Sequence, residues 1–544
     1  MKSFAVKLSG PAGAGMMQAG ETLSKALNRL GFYTLMYPEY PSRIRGGDNC
    51  VLVVFSNEKY LAPVEKIDFL LAFGKDNYQK HQNESNREAK GFEAEELGLI
   101  KIAGELGNPL VANTAGLGFI FRSLGFEPKV LKEQVEEEFK DKEAIKKLNL
   151  EALKRGYELG RKQEFNFPEN IKQKQKILNY SGNEALVEGV FRGDCEFASI
   201  YPMTPINSIL TMLSRSKVQM FRPEDEIAGM MSSLGASYAG KKAMVATSGG
   251  GFCLMVEGLG MAGMAEIPVV CIVGQRTGPS TGMATFSSQA DLNFVTSAGH
   301  GEFPRIVLAP GDLGECQRLG EEAFYLAEKY QVPVILLTDK YLAESRFSAD
   351  EKDFKETELK EKTRKASRLE DYKRYRFTQS GVSPRAFPGQ LKVMANSYEH
   401  DETGFSSDDK ENRIKMMNKR MGKLKNIDSV LPGFEKYGPA FAKASARLER
   451  KKILVGWGST KEIILDFLKA NAEFDFLHIY RPWPFPKEAV KILKKYDEVI
   501  AVEGNYSGQL ADLIEQFTLR KVKRVLKDDG RPFFKQELEK LISK

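Results

Sequence analysis

Short apolar runs recur along the chain, each of strand length and most closed by glycine or proline, with stretches of helical spacing between them. The first block opens with a strand over Phe4–Ser9, a turn Gly10-Pro11-Ala12-Gly13-Ala14-Gly15, and a helix pattern from Met16 to Leu30. Strands at Phe32–Tyr37, Cys50–Phe55 and Phe69–Ala72 follow, and a charged helical stretch, Val130 to Lys162, closes the block. Alternating β and α predicts a parallel sheet with helices on its faces. Residues 163–181 are polar and read as a linker. In the second block, 182–349, the runs Phe197–Ile200, Ala243–Thr247, Val269–Val273, Ile306–Leu308 and Val332–Leu337 are apolar throughout. Strands buried on both faces of a parallel sheet have this pattern. Helices between them are predicted at Glu226–Tyr238 and Phe252–Ala265. The third block, 446–544, alternates strands at Lys452–Gly456, Phe476–Ile479, Glu498–Val502 and Val522–Leu526 with helices. The charged segment 350–445 is too long for an ordinary loop. Its aromatics and prolines predict an ordered connector. The fold class is therefore α/β, with three parallel-sheet domains.

Composition narrows the class. The chain has 544 residues, 42% apolar and 28% charged, with a net charge of +7. About three domains of globular protein fit these numbers. Basic and acidic residues interleave, which argues against a nucleic-acid footprint. No window has the length of a membrane span, and no signal peptide is predicted, so the expected location is cytoplasmic. The five cysteines form no C-x-x-C pair, and the four histidines have no ligand spacing. No disulfide framework, metal or iron–sulfur cluster is expected on this chain.

The chemistry concentrates at strand ends. Ile200-Tyr201-Pro202-Met203-Thr204-Pro205 displays a tyrosine and a threonine on a proline-stiffened loop, although Thr204 would serve equally as a helix N-cap. Thr247-Ser248-Gly249-Gly250-Gly251 is a turn that lets a ligand approach the backbone. Arg276-Thr277-Gly278-Pro279-Ser280-Thr281-Gly282 offers an arginine suited to a carboxylate. Arg222-Pro223-Glu224-Asp225-Glu226 heads a helix rich in small residues. Glu226 there is either a favourable N-terminal charge or an acceptor for a cofactor ring. In the first block, the glycine turn with Gly13 is a tight β–α turn or an anion site. Arg43, Arg45, Gly46 and Gly47, within Tyr40–Asn49, either hold a phosphate or carboxylate or pin an interface.

Together these motifs resemble the alpha subunit of 2-oxoacid:ferredoxin oxidoreductases. Tyr201-Pro202-Met203-Thr204-Pro205 is similar to the family's Y-P-I-T-P loop, and Glu226 with Gly235-Ala236-Ser237-Tyr238-Ala239-Gly240 to its helix. The resemblance continues through Gly381-Val382-Ser383-Pro384-Arg385, Glu399-His400-Asp401-Glu402, Trp457-Gly458-Ser459-Thr460 and Val502-Glu503-Gly504-Asn505. The first block, through Tyr40 to Asn49, looks like a gamma subunit fused in front. The resemblance implies a gamma domain at 1–162, a pyrimidine-type thiamine-diphosphate fold at 182–349, and a transketolase C-terminal-like domain at 446–544.

It also implies the chemistry. Thiamine diphosphate would lie between this chain and a beta subunit, with Glu226 on the aminopyrimidine, and Thr204 and Arg276 on the carboxylate of a 2-oxoacid. Tyr201, Pro202, Met203, Pro205, Thr247, Ser248, Gly249, Gly278, Pro279, Ser280 and Thr281 would line the substrate or coenzyme A site. Magnesium and an iron–sulfur cluster would belong to the beta subunit, ferredoxin would take the electrons, and the assembly would be a heterodimer or a dimer of heterodimers. The chain departs from the family at Met283-Ala284-Thr285-Phe286-Ser287-Ser288-Gln289, where Phe286 and Ser288 replace a charge pair. That implies a 2-oxoacid less acidic than 2-oxoglutarate. Two other readings are a non-redox, transketolase-like enzyme, against which the gamma-like block argues, and a silent scaffold, against which the intact Thr204, Glu226 and Arg276 argue.

Overall fold

Strands made only of apolar residues need cover on both faces, and the chain supplies it with helices on either side of a six-stranded sheet. Its order is Ile306–Leu308, Pro333–Asp339, Val269–Gln275, Ala243–Ser248, Phe197–Ile200, Gln219–Phe221, and every pairing is parallel. The computed structural model describes residues 3–42, 47–163, 165, 176–357, 359, 370–438 and 450–542. The chain divides into two units. One comprises Met1–Ser181, Glu344–Asp353 and Phe533–Lys544, the other Gly182–Ala343 and Phe354–Pro532.

Within the second unit, a five-stranded sheet follows the six-stranded one, ordered Phe434–Tyr437, Phe474–Ile479, Lys452–Gly456, Glu498–Glu503, Lys523–Leu526. Four of its strands are parallel, and the edge strand Phe434–Tyr437 is antiparallel and comes from the connector. One apolar core, including Val245, Phe252, Leu337, Trp457 and Ile479, runs through both sheets. The α/β class stands. The helix expected over Phe252–Ala265 begins earlier, at Gly249, and is broken by a 3-10 turn at Cys253–Met255 before Val256–Met264.

The first unit corrects the expected parallel sheet. Its seven strands run Ser85–Glu93, Ile67–Ala72, Phe4–Gly10, Asn49–Ser56, Tyr33–Glu39, Arg346–Asp350, Ile177–Ser181. Only the pairings among the first three are parallel; the other four are antiparallel. The reason is chain length. Residues 40–48 between two of these strands are too few for a helical crossover, so the chain can only return antiparallel.

Two of the seven strands fall where the sequence pattern predicts something else. Ile177–Ser181 lies in the expected linker, and Arg346–Asp350 crosses the expected boundary at 349. Each is only five residues long, and the alternation in the second is carried by Phe347 and Ala349 alone, too short a pattern to mark a strand; polar side chains tie both to the sheet. Asn28 Nδ2 donates to Ser348 Oγ at 2.7 Å, the Thr34 amide donates to the same oxygen at 2.7 Å, and Asn179 Nδ2 donates to Asn28 Oδ1 at 2.9 Å. The C-terminal helix Lys535–Ile542 also belongs here, its Lys535 amide donating to the Pro63 carbonyl at 2.9 Å. Among the described residues, no helix is long and apolar enough to cross a membrane.

The described part of the connector is ordered, and charge ties it down. Glu266 is fully buried; Lys419 Nζ lies 2.7 Å from both carboxylate oxygens and Lys423 Nζ 2.6 Å from one. Burial alone would protonate Glu266, but the two ammonium groups hold it well below the usual carboxylate range. Removing one member of such a cluster strands the others. Glu266→Gln is expected to cost about 3–5 kcal/mol, read as a lowered denaturant midpoint for the full chain.

Candidate functional site

Three neighbouring parallel strands, Phe197–Ile200, Ala243–Ser248 and Val269–Gln275, end side by side in the second unit. Carboxyl ends of parallel strands are where α/β sheets bind ligands. The loop after the first meets the loops after the other two. Arg276 Nη1 donates to the Thr204 carbonyl at 3.2 Å, and Ser248 Oγ donates to the Met203 sulfur. Asn183 Nδ2 holds the Pro205 carbonyl at 2.9 Å from behind. The helix that follows starts at Asn207 with Ile206 at the cap position, so Thr204 is not the N-cap its spacing offers. Tyr201 is part-exposed, Pro202 and Met203 are half-buried, and Pro205 is buried. Burial lowers the pKa of Arg276 below its ordinary value without removing its charge.

Glu226 opens the helix Glu226–Tyr238, but the cap is Asp225, whose carboxylate accepts from the Ala228 amide at 2.8 Å. Glu226 is therefore not needed as a cap. It is only 3% exposed, and among the described residues its Oε1 has no hydrogen-bond partner. Thr247 Oγ1 is buried and without a partner as well. Both atoms abut Gly251: a Cβ there would lie 2.0 Å from Thr247 Oγ1 and 2.5 Å from Glu226 Oε1. Buried polar atoms are costly unless something pairs with them, so two on one turn mark a place where a ligand supplies the partners.

The loop after Arg276 is a hairpin closed by a Thr277–Met283 bridge, with Gly278, Pro279, Ser280 and Thr281 exposed at its tip. The Ser280 carbonyl lies 3.8 Å from where a Cβ on Gly250 would be. Phe286 lies under the Arg531 guanidinium, 5.3 Å from its ring centroid, and Ser288 Oγ donates to the Gly504 carbonyl at 3.4 Å.

Two residues here escaped sequence reasoning. Gln289 bridges the two sheets: its Nε2 donates to the Trp457 carbonyl at 2.9 Å and its Oε1 accepts from the Gly504 amide at 2.8 Å. Asp291 sets its carboxyl against the glycine turn, 2.2 Å from where a Cβ on Gly249 would be. Burial pushes its pKa up to about 6. An acidic residue just before a short helix reads as an ordinary cap, and only the tertiary contact distinguishes it.

In the first unit, Arg43, Arg45 and Gly46 lie outside the described residues. Gly13 and Gly47 both have positive φ, 91° and 80°. Next to Gly47, Asp48 accepts from Ser9 at 2.5 Å, Asn77 at 2.8 Å and Lys80 at 2.7 Å, and pairs with His81 at 2.7 Å. Burial opposes a charge on His81, but the hydrogen bonds to Asp48, Cys50 and Glu84 lift its pKa to about 10. The ligand-type atoms of Asp48, Cys50 and His81 lie within 4.8 Å of one another. With His81 protonated and Lys80 beside it, however, the cluster is already neutralised as a salt-bridge network.

Comparison with known proteins follows the same division. Residues 188–419 match the family described as pyruvate flavodoxin/ferredoxin oxidoreductase, thiamine diphosphate-binding. Residues 5–91 and 82–159 match the pyruvate ferredoxin/flavodoxin oxidoreductase family. The chain is 32% identical to the 2-oxoacid:ferredoxin oxidoreductase subunit alpha of a Sulfolobus species, covering 99% of this chain and 96% of that one. The 2-oxoglutarate synthase subunit KorA of Methanocaldococcus jannaschii is 29% identical over 68% of this chain and 99% of its own length. Among solved structures, the 2-oxoglutarate:ferredoxin oxidoreductase from Magnetococcus marinus, with 2-oxoglutarate, coenzyme A and succinyl-CoA bound, superposes with a TM-score of 0.89. Its identity is 29%, with 100% of this chain and 99% of that chain covered.

The turn geometry is testable by itself. Gly251→Ala forces a methyl into Thr247 and Glu226 and is expected to cost about 1–3 kcal/mol. At Gly235, in the same unit, a Cβ meets nothing within 4 Å. Gly235→Ala is expected to be neutral or to stabilise by up to about 1 kcal/mol. Thermal melts of both variants check the contrast.

Proposed function

The chain belongs to the 2-oxoacid:ferredoxin oxidoreductase family as an alpha subunit, and on that footing we propose how its own residues divide the work. The single observation that carries the reading is the pair of unpartnered buried oxygens, Glu226 Oε1 and Thr247 Oγ1, over a glycine with no room for a side chain. They suit a bound heterocycle that donates to them, and so fit thiamine diphosphate. When bound, that cofactor supplies the nucleophilic carbon and electron sink that oxidative decarboxylation of a 2-oxoacid needs.

Glu226 is the acid–base group. Its buried carboxyl would hold a proton in a hydrogen bond to a ring nitrogen of the cofactor, the group through which proton transfer to and from that ring would pass. Arg276 clamps the substrate carboxylate, with the Thr204 carbonyl fixing the guanidinium in place and Thr204 itself beside the same carboxylate. The exposed tip with Gly278, Pro279, Ser280 and Thr281 lines the substrate or coenzyme A site. Gly249, Ser248, Met203 and Tyr201 shape its floor and rim. A beta subunit completes the enzyme, bringing magnesium, the diphosphate-binding residues and an iron–sulfur cluster. Ferredoxin receives the electrons and coenzyme A the acyl group, with the Tyr40–Asn49 segment of the first unit as the candidate for anion contacts. The expected location is cytoplasmic.

The substrate is less acidic than 2-oxoglutarate. Phe286 faces Arg531 and Ser288 is engaged with the Gly504 carbonyl, so neither supplies the charge that a distal carboxylate would call for.

The experiment is reconstitution with a beta subunit under anaerobic conditions, following viologen reduction with a panel of 2-oxoacids, coenzyme A and thiamine diphosphate. Activity is expected only with both chains and only with coenzyme A. A stable complex that reduces no acceptor would favour a non-redox enzyme or a scaffold instead. Glu226→Gln is expected to lower kcat by about 10²–10⁴-fold while leaving assembly intact. A kcat/KM favouring 2-oxoglutarate over pyruvate and branched-chain 2-oxoacids would overturn the substrate reading.

A further inference from the structure

The Gly249–Phe252 turn is helical, and successive residues on a helix rotate by about 100°. Gly249 and Gly251 therefore face away from each other. Gly251 faces Glu226 and Thr247, whereas Gly249 faces Asp291. Two carboxyl groups thus flank one turn on opposite sides, and only one has a role in the chemistry above.

Among the described residues, no donor reaches the Asp291 carboxyl. Its backbone amide donates to Gln275 Oε1 at 3.0 Å, but the side chain has no such contact. The turn it leans on has no ionisable side chain, and Gln275 is neutral. The ionisable neighbour is Cys253, an exposed thiol whose pKa is raised by burial and then by the Asp291 charge. Leu254, next to Cys253, is 51% exposed. A half-buried carboxyl without a donor, beside an exposed thiol and an exposed leucine, is the complement of a basic side chain arriving from outside the chain.

We propose that Asp291 is an interface carboxylate that receives a lysine or arginine of the beta subunit, on the side of the glycine turn opposite Glu226. This rests on the reading that the chain works with a beta subunit. Until the partner arrives, burial with no cation holds the carboxyl protonated up to a pH of about 6. Docking would supply the cation, return the group to its ordinary range and release a proton. The sign follows from linkage: binding tightens as pH rises through the free chain's pKa.

The test is titration of the full chain with purified beta subunit at pH 5.5 and 7.5, for wild type and Asp291→Asn. A carboxyl of pKa about 6 that returns to an ordinary value on binding gives about fourfold tighter wild-type binding at pH 7.5 than at 5.5. D291N is expected to bind more weakly at pH 7.5 and to lose that difference. Equal affinity and equal pH dependence in the two proteins overturn the proposal. The titration is run with and without thiamine diphosphate and magnesium. A D291N effect that appears only with the cofactor assigns the donor to the cofactor and also overturns it.

Two readouts on the chain alone show that D291N folds. Its melting temperature should exceed wild type by more at pH 8 than at pH 5, because ionising Asp291 costs stability progressively between the unfolded carboxyl's pKa of about 4 and its folded value of about 6. Alkylation of Cys253 at pH 8 should be faster, because the neighbouring negative charge is gone. A chain that binds its partner and turns over substrate with no dependence on Asp291 sinks this inference alone. A chain that binds no beta subunit at all sinks the functional reading.

Discussion

The close approach at Gly251 is the constraint on which the site depends. A hydroxyl and a carboxylate converge on one backbone atom, which only glycine permits, and each is left without a partner. This is an expensive arrangement in a folded chain, since buried polar groups without hydrogen bonds oppose folding. It survives because everything around it is fixed. The Ala243–Ser248 strand is held by parallel neighbours on both sides, and Asp225 caps the helix so that Glu226 need not. Fixed surroundings keep the two oxygens from pairing with each other, and so available to a ligand.

That rigidity extends to the five-stranded sheet. Gln289 forms hydrogen bonds to Trp457 and Gly504, and Asn505 Nδ2 donates to the Gln289 carbonyl at 3.1 Å. Glu503, fully buried, accepts from the Leu510 and Ala511 amides and from the Trp457 indole. Burial raises its pKa despite those donors. The segment that carries Phe286, Gln289 and Asp291 is thus anchored at its centre to a different sheet from the one it leaves. The connector does comparable work elsewhere through Glu266, Lys419 and Lys423. The Glu266 cluster lies where distant segments meet in one register, and there the cost of desolvation is offset by paired charges rather than by apolar packing.

How much of this was legible in the sequence depends on which signal each residue leaves. Five strands of the six-stranded sheet were readable as apolar runs, whereas its edge strand Gln219–Phe221, largely exposed, left no such signal; the helix Glu226–Tyr238 was placed to the residue. The strand-end loops were readable from their turn chemistry. The first unit was misread because Ile177–Ser181 and Arg346–Asp350 are five residues each, and Phe347 and Ala349 alone are too short an alternation to announce a strand. Its mixed topology was nonetheless implicit in the shortness of residues 40–48. Gln289 and Asp291 were illegible for another reason. Their meaning lies in contacts with Gly504, Trp457 and Gly249, and nothing local to a Gln-Ala-Asp run announces them.

The two carboxyl groups around the glycine turn show why the same residue type takes different roles. Asp225, one residue from Glu226, is spent on a backbone amide and becomes structure. Among the described residues no amide reaches the Glu226 Oε1 or the Asp291 carboxyl, so each keeps an acceptor that these residues do not use. Helix geometry then separates them: positions 249 and 251 point away from each other, so whatever satisfies one is kept from the other by the turn between. A single glycine-rich turn thereby leaves two separate acceptors, one on each side, and the glycines at 249 and 251 bring both within contact of the same backbone.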